Sequence, residues 1–193
     1  MKLVIIKYNA GNIRSVDVAL RRLGVEAILT DDHDTIRSAD RVIFPGVGEA
    51  STTMEYLKAR KLDRVIRELT QPVLGICLGL QLMCSYSQEG ETPCLGIFGE
   101  RVVRFAPGKK VPHMGWNQVS GLKGPLFRDS KDGEFMYFVH SYYAPVGPDT
   151  TAVTGYAEDF SAALGRDNFH ATQFHPEKSG EAGEAILKNF LAL

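Results

Sequence analysis

Ten residues constrain this chain more than any others: the run Val73-Leu-Gly-Ile-Cys-Leu-Gly-Leu-Gln-Leu82. Its apolar start reads as a buried strand, and it passes through Gly75-Ile-Cys77-Leu-Gly79 straight into a helical pattern. Glycines two residues either side of a nucleophile permit the sharp strand-to-helix turn that presents the central side chain in a strained conformation. A cysteine at that point meets the first N–H groups of the next helix, whose partial positive charge favours thiolate over thiol. The stretch points to a cysteine hydrolase on an α/β scaffold. The same cysteine between Ile76 and Leu78 also suits plain core packing, because unpaired cysteines are among the most buried residues. The rest of the chain has to decide.

The organisation fits such a scaffold. Leu3 to Ile6 is a short apolar run, after which Asn12 is placed to cap a helix with Ile13, Val16, Leu20 and Leu23 on one face, stopped by Gly24. Val25 to Leu29 and Arg41 to Phe44 read as further strands, with helical patterns through Met54, Leu57 and Ala59 and through Leu62, Val65, Ile66 and Leu69. This alternation predicts a mostly parallel sheet, flavodoxin-like, covered by helices on both faces, with chemistry at the carboxyl ends of the strands. The second half changes character. Strand-like runs at Val102 to Phe105, Gln118 to Ser120, Phe135 to Val139, Ala152 to Tyr156, Ser161 to Leu164 and Ala171 to Phe174 are separated by Gly/Pro turns and predict antiparallel pairs. A helix over Glu181 to Leu193, with Ile186, Leu187, Phe190 and Leu191 inward, closes the chain.

At 193 residues and 44% hydrophobic content, the chain suits a single domain over 1–193 with a substantial core. A net charge of -1 with scattered basic residues argues against nucleic acid or a membrane surface as partner. The first residues hold too short an apolar run for a signal peptide, and no stretch approaches the ~20 apolar residues of a membrane span. Three cysteines do not make a disulfide framework, so a reducing, cytoplasmic location is expected, with Cys84 and Cys94 as free thiols. No Cys-x-x-Cys or His-x-x-x-His spacing points to a metal, and no cofactor is expected.

A thiolate nucleophile needs a base, and histidine titrates near neutrality. Among the five histidines, His175 in Gln173-Phe-His-Pro-Glu177 stands where a strand ends. In extended backbone Glu177 would point to the same side and fix the imidazole's orientation. His140 reads as pocket lining, and His33 as a solvated turn residue in the acidic segment 31–34. His113 and His170 show no partner in the sequence. Acyl transfer also needs oxyanion donors. The N–H of Leu78 is one by the geometry of the turn. The turn Phe44-Pro-Gly-Val47-Gly48 ends another strand at the same sheet edge, where its glycines can aim an N–H at the site. A simple strand-to-helix turn is the alternative there.

With these residues assembled, Gly75-Ile-Cys-Leu-Gly-Leu-Gln81 followed by His175-Pro-Glu177 resembles the class I (triad) glutamine amidotransferases over almost the whole chain. Within them, Lys7-Tyr-Asn-Ala-Gly-Asn-Ile13, Pro45-Gly-Val-Gly48, His113-Met-Gly-Trp-Asn117 and Tyr137-Phe-Val-His-Ser-Tyr142 are similar to the glutaminase subunits that serve histidine biosynthesis. The resemblance implies hydrolysis of glutamine to glutamate and ammonia. The ammonia would pass to a separate (β/α)₈ synthase (cyclase) subunit, partner in a heterodimer, that forms imidazole glycerol phosphate and aminoimidazole carboxamide ribotide. It also implies that Gln81, Glu89 and the backbone at Gly48, Ser141 and Tyr142 contact glutamine. Asn12, Trp116, Asn117 and Lys178 are the expected partner surface, the last opposite a carboxylate at the barrel's edge. Rival readings are the glutaminase of another complex such as pyridoxal phosphate synthase, a hydrolase acting unaided, and a non-catalytic flavodoxin-like binding module.

Overall fold

The structure, a computed structural model, describes residues 1–8, 13–108 and 110–193. The first half alternates strand and helix: β1 (Leu3–Ile6), α1 (Ile13–Arg22), β2 (Ala27–Thr30), α2 (His33–Arg37), β3 (Arg41–Phe44), α3 (Ala50–Ala59), α4 (Leu62–Arg67), β4 (Val73–Ile76) and α5 (Leu78–Met83). Then follow β5 (Tyr86–Ser87), β6 (Thr92–Pro93), β7 (Arg101–Arg104), β8 (His113–Gln118), β9 (Phe135–His140), β10 (Tyr142–Tyr143), β11 (Thr150–Gly155), β12 (Asp159–Arg166), β13 (Phe169–Thr172) and α6 (Gly180–Leu191). Among the described residues no helix is long and apolar enough to cross a membrane.

Seven strands form the central sheet in the order β11-β12-β13-β4-β3-β1-β2. From β13 to β2 neighbouring strands are parallel, and β12 and β11 add antiparallel pairing at one edge. Alternate strand residues feed opposite cores, as the two-residue period of a strand requires. Val4, Ile6, Val42 and Phe44 pack with Met54, Leu57, Val65 and Ile66 of α3 and α4 on one face. Leu3, Ile5, Ile43, Leu74 and Ile76 pack with Val16 and Leu20 of α1 and Ile186, Leu187 and Phe190 of α6 on the other. Burying both faces is what makes these strands continuous apolar runs in the sequence.

Several expectations shift. β2 starts at Ala27 rather than Val25 because the Val25 N–H closes α1 on the Leu20 carbonyl (3.0 Å), with Gly24 at φ +75°. His33 is not in a turn. It opens α2, which Asp32 caps by accepting from the Thr35 N–H (2.8 Å), and its Nε2 bonds the Arg60 carbonyl (2.8 Å). The expected strand over Gln118 to Ser120 is only the end of β8, which pairs with β9 as a separate antiparallel ribbon. β13 is not simply one more antiparallel strand, since it lies parallel to β4 with Thr172 opposite Ile76. That pairing sets the site, because the residues after β13 emerge beside the residues after β4. Asn12, the expected cap of α1, lies outside the described residues.

Candidate active site

Cys77 follows β4 with φ +53° and ψ -105°, a region that a residue with a Cβ occupies only when its surroundings impose it. Its N–H is held by the Thr172 carbonyl of β13 (2.7 Å), and α5 begins at the next residue. The flanking glycines supply space rather than left-handed backbone. A Cβ on Gly79 would meet the Phe44 carbonyl at 2.1 Å, and one on Gly46 would meet the Gly79 nitrogen at 2.4 Å. The start of α5 therefore lies directly on the turn that leaves β3, which brings Pro45 to Gly48 beside the nucleophile.

His175 follows β13, and its imidazole lies close enough to Cys77 for the charge on the sulfur to act on it. Its Nδ1 lies 2.8 Å from Glu177 Oε1, and both side chains are buried, 1% and 0% exposed. The backbone between them is not extended as expected. His175 is extended, but Pro176–Lys178 form a 3₁₀ turn with proline at its start, and that turn brings the carboxylate round to Nδ1. Burial disfavours a charged ring, yet the negative charge on Cys77 and the Glu177 carboxylate outweigh it and raise the His175 pKa to about 10. The imidazole thus holds a proton beside the sulfur at neutral pH. Removing the Glu177 charge lowers that pKa, so Glu177→Gln should lose activity at a lower pH on the basic side. It should also lower kcat by about 10²–10⁴-fold, the worth of a positioned acid–base. A pH profile of glutamate release checks both; an unmoved basic limb would assign Glu177 no electrostatic role.

In front of the sulfur lies a cavity of about 290 Å³ lined by Val47, Gly48, Cys77, Leu78, Gln81, Glu89, Pro112, Val139, His140, Ser141 and Tyr142. Every expected substrate and oxyanion residue thus faces one space, with His140 as lining. Details differ from expectation. The Leu78 N–H, expected to be open to an oxyanion, faces the Gly46 carbonyl at 3.4 Å. Because a trans peptide points its C=O and N–H in opposite directions, the Val47 N–H is turned away from Leu78. Gln81 spends both amide hydrogens inside the protein, on the Tyr142 carbonyl (2.8 Å) and Gln173 Oε1 (3.1 Å), which leaves its oxygen for a ligand. Glu89 accepts from the Ala50 N–H (2.8 Å), and burial raises its pKa.

Of the expected partner residues, Trp116 is 55% exposed, and Lys178 is exposed as well. Both border Tyr137, Trp116 edge-on with ring centroids 6.0 Å apart and the Lys178 ammonium 6.0 Å from the ring. Asn117 is half-buried, its side chain donating to the Gly155 carbonyl (2.8 Å) and accepting from the Gln118 N–H (2.9 Å). Sequence reasoning missed Gln173, whose amide reaches the Cys77 sulfur (3.7 Å), although it sits two residues before His175. It also missed Tyr8, buried, whose hydroxyl donates to the Pro45 carbonyl and braces the turn. Burial and the nearby Cys77 charge raise the Tyr8 pKa.

A strained cysteine at a strand end, a buried His–Glu pair beside it and a cavity in front of the sulfur thus meet at one edge of the sheet. The family model for "Glutamine amidotransferase class-I" matches residues 4–193, and the chain belongs to that family. A solved structure described as a glutamine amidotransferase shares the fold, with a TM-score of 0.76 and 20% identity over 98% of this chain and 97% of that one. Within the family the chain stands with the imidazole glycerol phosphate synthase subunits HisH. It is 65% identical to that of Bacteroides fragilis (strain YCH46) and 61% identical to that of Bacteroides thetaiotaomicron, each over 100% of both chains. The pyridoxal phosphate synthase reading falls with this match.

Proposed function

We propose that this chain hydrolyses glutamine to glutamate and ammonia and supplies the ammonia to imidazole glycerol phosphate synthesis in histidine biosynthesis. The observation that carries the chemistry is the buried Cys77–His175–Glu177 line opening on a cavity with a carboxylate at its rim. The Cys77 thiolate attacks the side-chain amide carbon of glutamine. The oxyanion collapses to a γ-glutamyl thioester while His175 gives its proton to the departing ammonia. His175 then takes a proton from water, whose attack on the thioester releases glutamate and restores the thiolate. Glu89 would meet the substrate's α-ammonium, with Gly48, Gln81 oxygen, Ser141 and Tyr142 around the rest.

The partner is a (β/α)₈ synthase subunit docking in a heterodimer on the face that carries Trp116, Tyr137 and Lys178, where Trp116 and Met114 leave apolar surface in water, 55% and 62% exposed. The Gly46–Val47 peptide supports a resting state with its oxyanion donors closed, which docking would open by turning that peptide over.

The test is amide hydrolysis, with and without the synthase subunit, read as glutamate released from glutamine and aspartate released from asparagine. A pocket that holds both α-substituents fixes the distance to the reacting carbonyl, so one methylene less misplaces it. Glutamine should be cleaved at least ~100-fold faster than asparagine, the order of loss that misplacement by about an ångström causes. Comparable rates would point to a hydrolase acting unaided.

A further inference from the structure

We infer that Asn117, His113 and His140 are positioning residues, a one-directional chain of hydrogen bonds that fixes the Tyr142 carbonyl in the cavity wall and, through it, the two glutamine amides beside Cys77. The inference deepens the glutaminase reading and rests on it.

The direction of every bond follows from groups that can act in only one way. The Gln118 backbone N–H donates to Asn117 Oδ1 and the Gly155 carbonyl accepts from Asn117 Nδ2, so the amide has one orientation. Its second hydrogen faces His113 Nε2 at 3.4 Å, which must accept. At the other end the Tyr142 carbonyl accepts from His140 Nδ1 at 2.8 Å. A neutral His140 then has a bare Nε2, and His113 Nδ1, 3.0 Å away, donates to it. A single arrangement satisfies all of these groups, with both rings neutral and both protonated at Nδ1. The surroundings suit it: His113 stacks on Tyr156 and Phe138, and His140 lies against Phe105 and Phe160. Burial lowers the pKa values of His113 and His140 to about 4 and about 3.

Beyond Tyr142 the chain reaches the nucleophile. The carbonyl also accepts from Gln81 Nε2 (2.8 Å), Gln81 donates to Gln173 Oε1 (3.1 Å), and Gln173 Nε2 faces the Cys77 sulfur (3.7 Å). Released from His140, the Tyr142 carbonyl keeps, among the described residues, only Gln81 as side-chain anchor, and the wall that glutamine contacts loses its position. The triad contacts themselves are untouched.

The experiment pairs ring-nitrogen NMR of the histidine-labelled chain with glutamine kinetics of the complex. Between pH 5 and 8 both His113 and His140 should show the neutral Nδ1–H pattern. His113→Leu should raise KM for glutamine by about 5- to 100-fold, the effect of losing a buried hydrogen bond, with a much smaller change in kcat. His113→Asn carries an N–H at the position of Nδ1 and should restore most of the KM. An Nε2–H pattern on either ring, or an unchanged KM in a folded His113→Leu, would overturn the inference. If His113→Leu does not fold, the NMR pattern of the unsubstituted protein decides alone. An unsubstituted complex that releases no glutamate defeats the glutaminase reading instead.

Discussion

Cys77→Ala should lower glutamate release from glutamine by about 10⁴–10⁶-fold, the range for removing a nucleophile from a triad. Nothing nearby can take its place. Cys84 is wholly buried in the core and Cys94 sits in another loop, and burial raises the pKa of both thiols, Cys94 to about 12. An alanine at 77 leaves the rest of the site intact, because the 2.7 Å bond from residue 77 to the Thr172 carbonyl is made by the backbone. The variant should therefore still dock, and the complex should still form product from ammonium salts, which bypass the glutaminase step. Loss of both activities would mean a folding defect; retained glutamate release would place the nucleophile elsewhere.

The second large effect is expected from docking. In the structure the Leu78 N–H is engaged by the Gly46 carbonyl, and the Val47 N–H is turned away from it. An acyl-transfer site lacking one oxyanion donor is slower by about 10²–10³-fold. The isolated chain should therefore hydrolyse glutamine about 10²–10³-fold more slowly than the complex holding its ribonucleotide substrate. Gly46 favours turning the peptide over, since it carries no side chain to sweep past Leu78. Glutamate release by the free chain, the complex and the substrate-loaded complex measures this. Equal rates in all three would remove the gate and leave the triad standing.

The parts of the site legible in sequence were those encoded locally. Gly75 to Gly79 around Cys77 and His175-Pro-Glu177 each carry their chemistry within five residues, and β1, β3 and β4 are apolar runs because both sheet faces are buried. What was not legible depends on pairing between distant segments. That β13 lies parallel to β4 cannot be read from a short apolar run, and it brings the residues before His175 beside Cys77. The α2 helix was missed because its amphipathic signal is a single buried residue, Ile36, and its cap, Asp32, sits in a segment that reads as an acidic turn. The sequence leaves Asn117 open between a partner surface and a turn. Strand alternation in β8 instead puts His113 and Asn117 on the inner side and Met114 and Trp116 on the outer. The Gly46 carbonyl on the Leu78 N–H is a peptide orientation, which residue identity does not encode.

The central claim is that Cys77 becomes covalently bonded to the substrate's side-chain carbonyl. Rapid acid quenching of the complex during glutamine turnover, followed by proteolysis and mass spectrometry, tests it directly. The account predicts one γ-glutamyl group on the peptide containing Cys77, absent when glutamine is omitted and absent in Cys77→Ala. A glutamyl group on any other residue would contradict it, as would glutamate release by the Cys77→Ala complex at the unsubstituted rate.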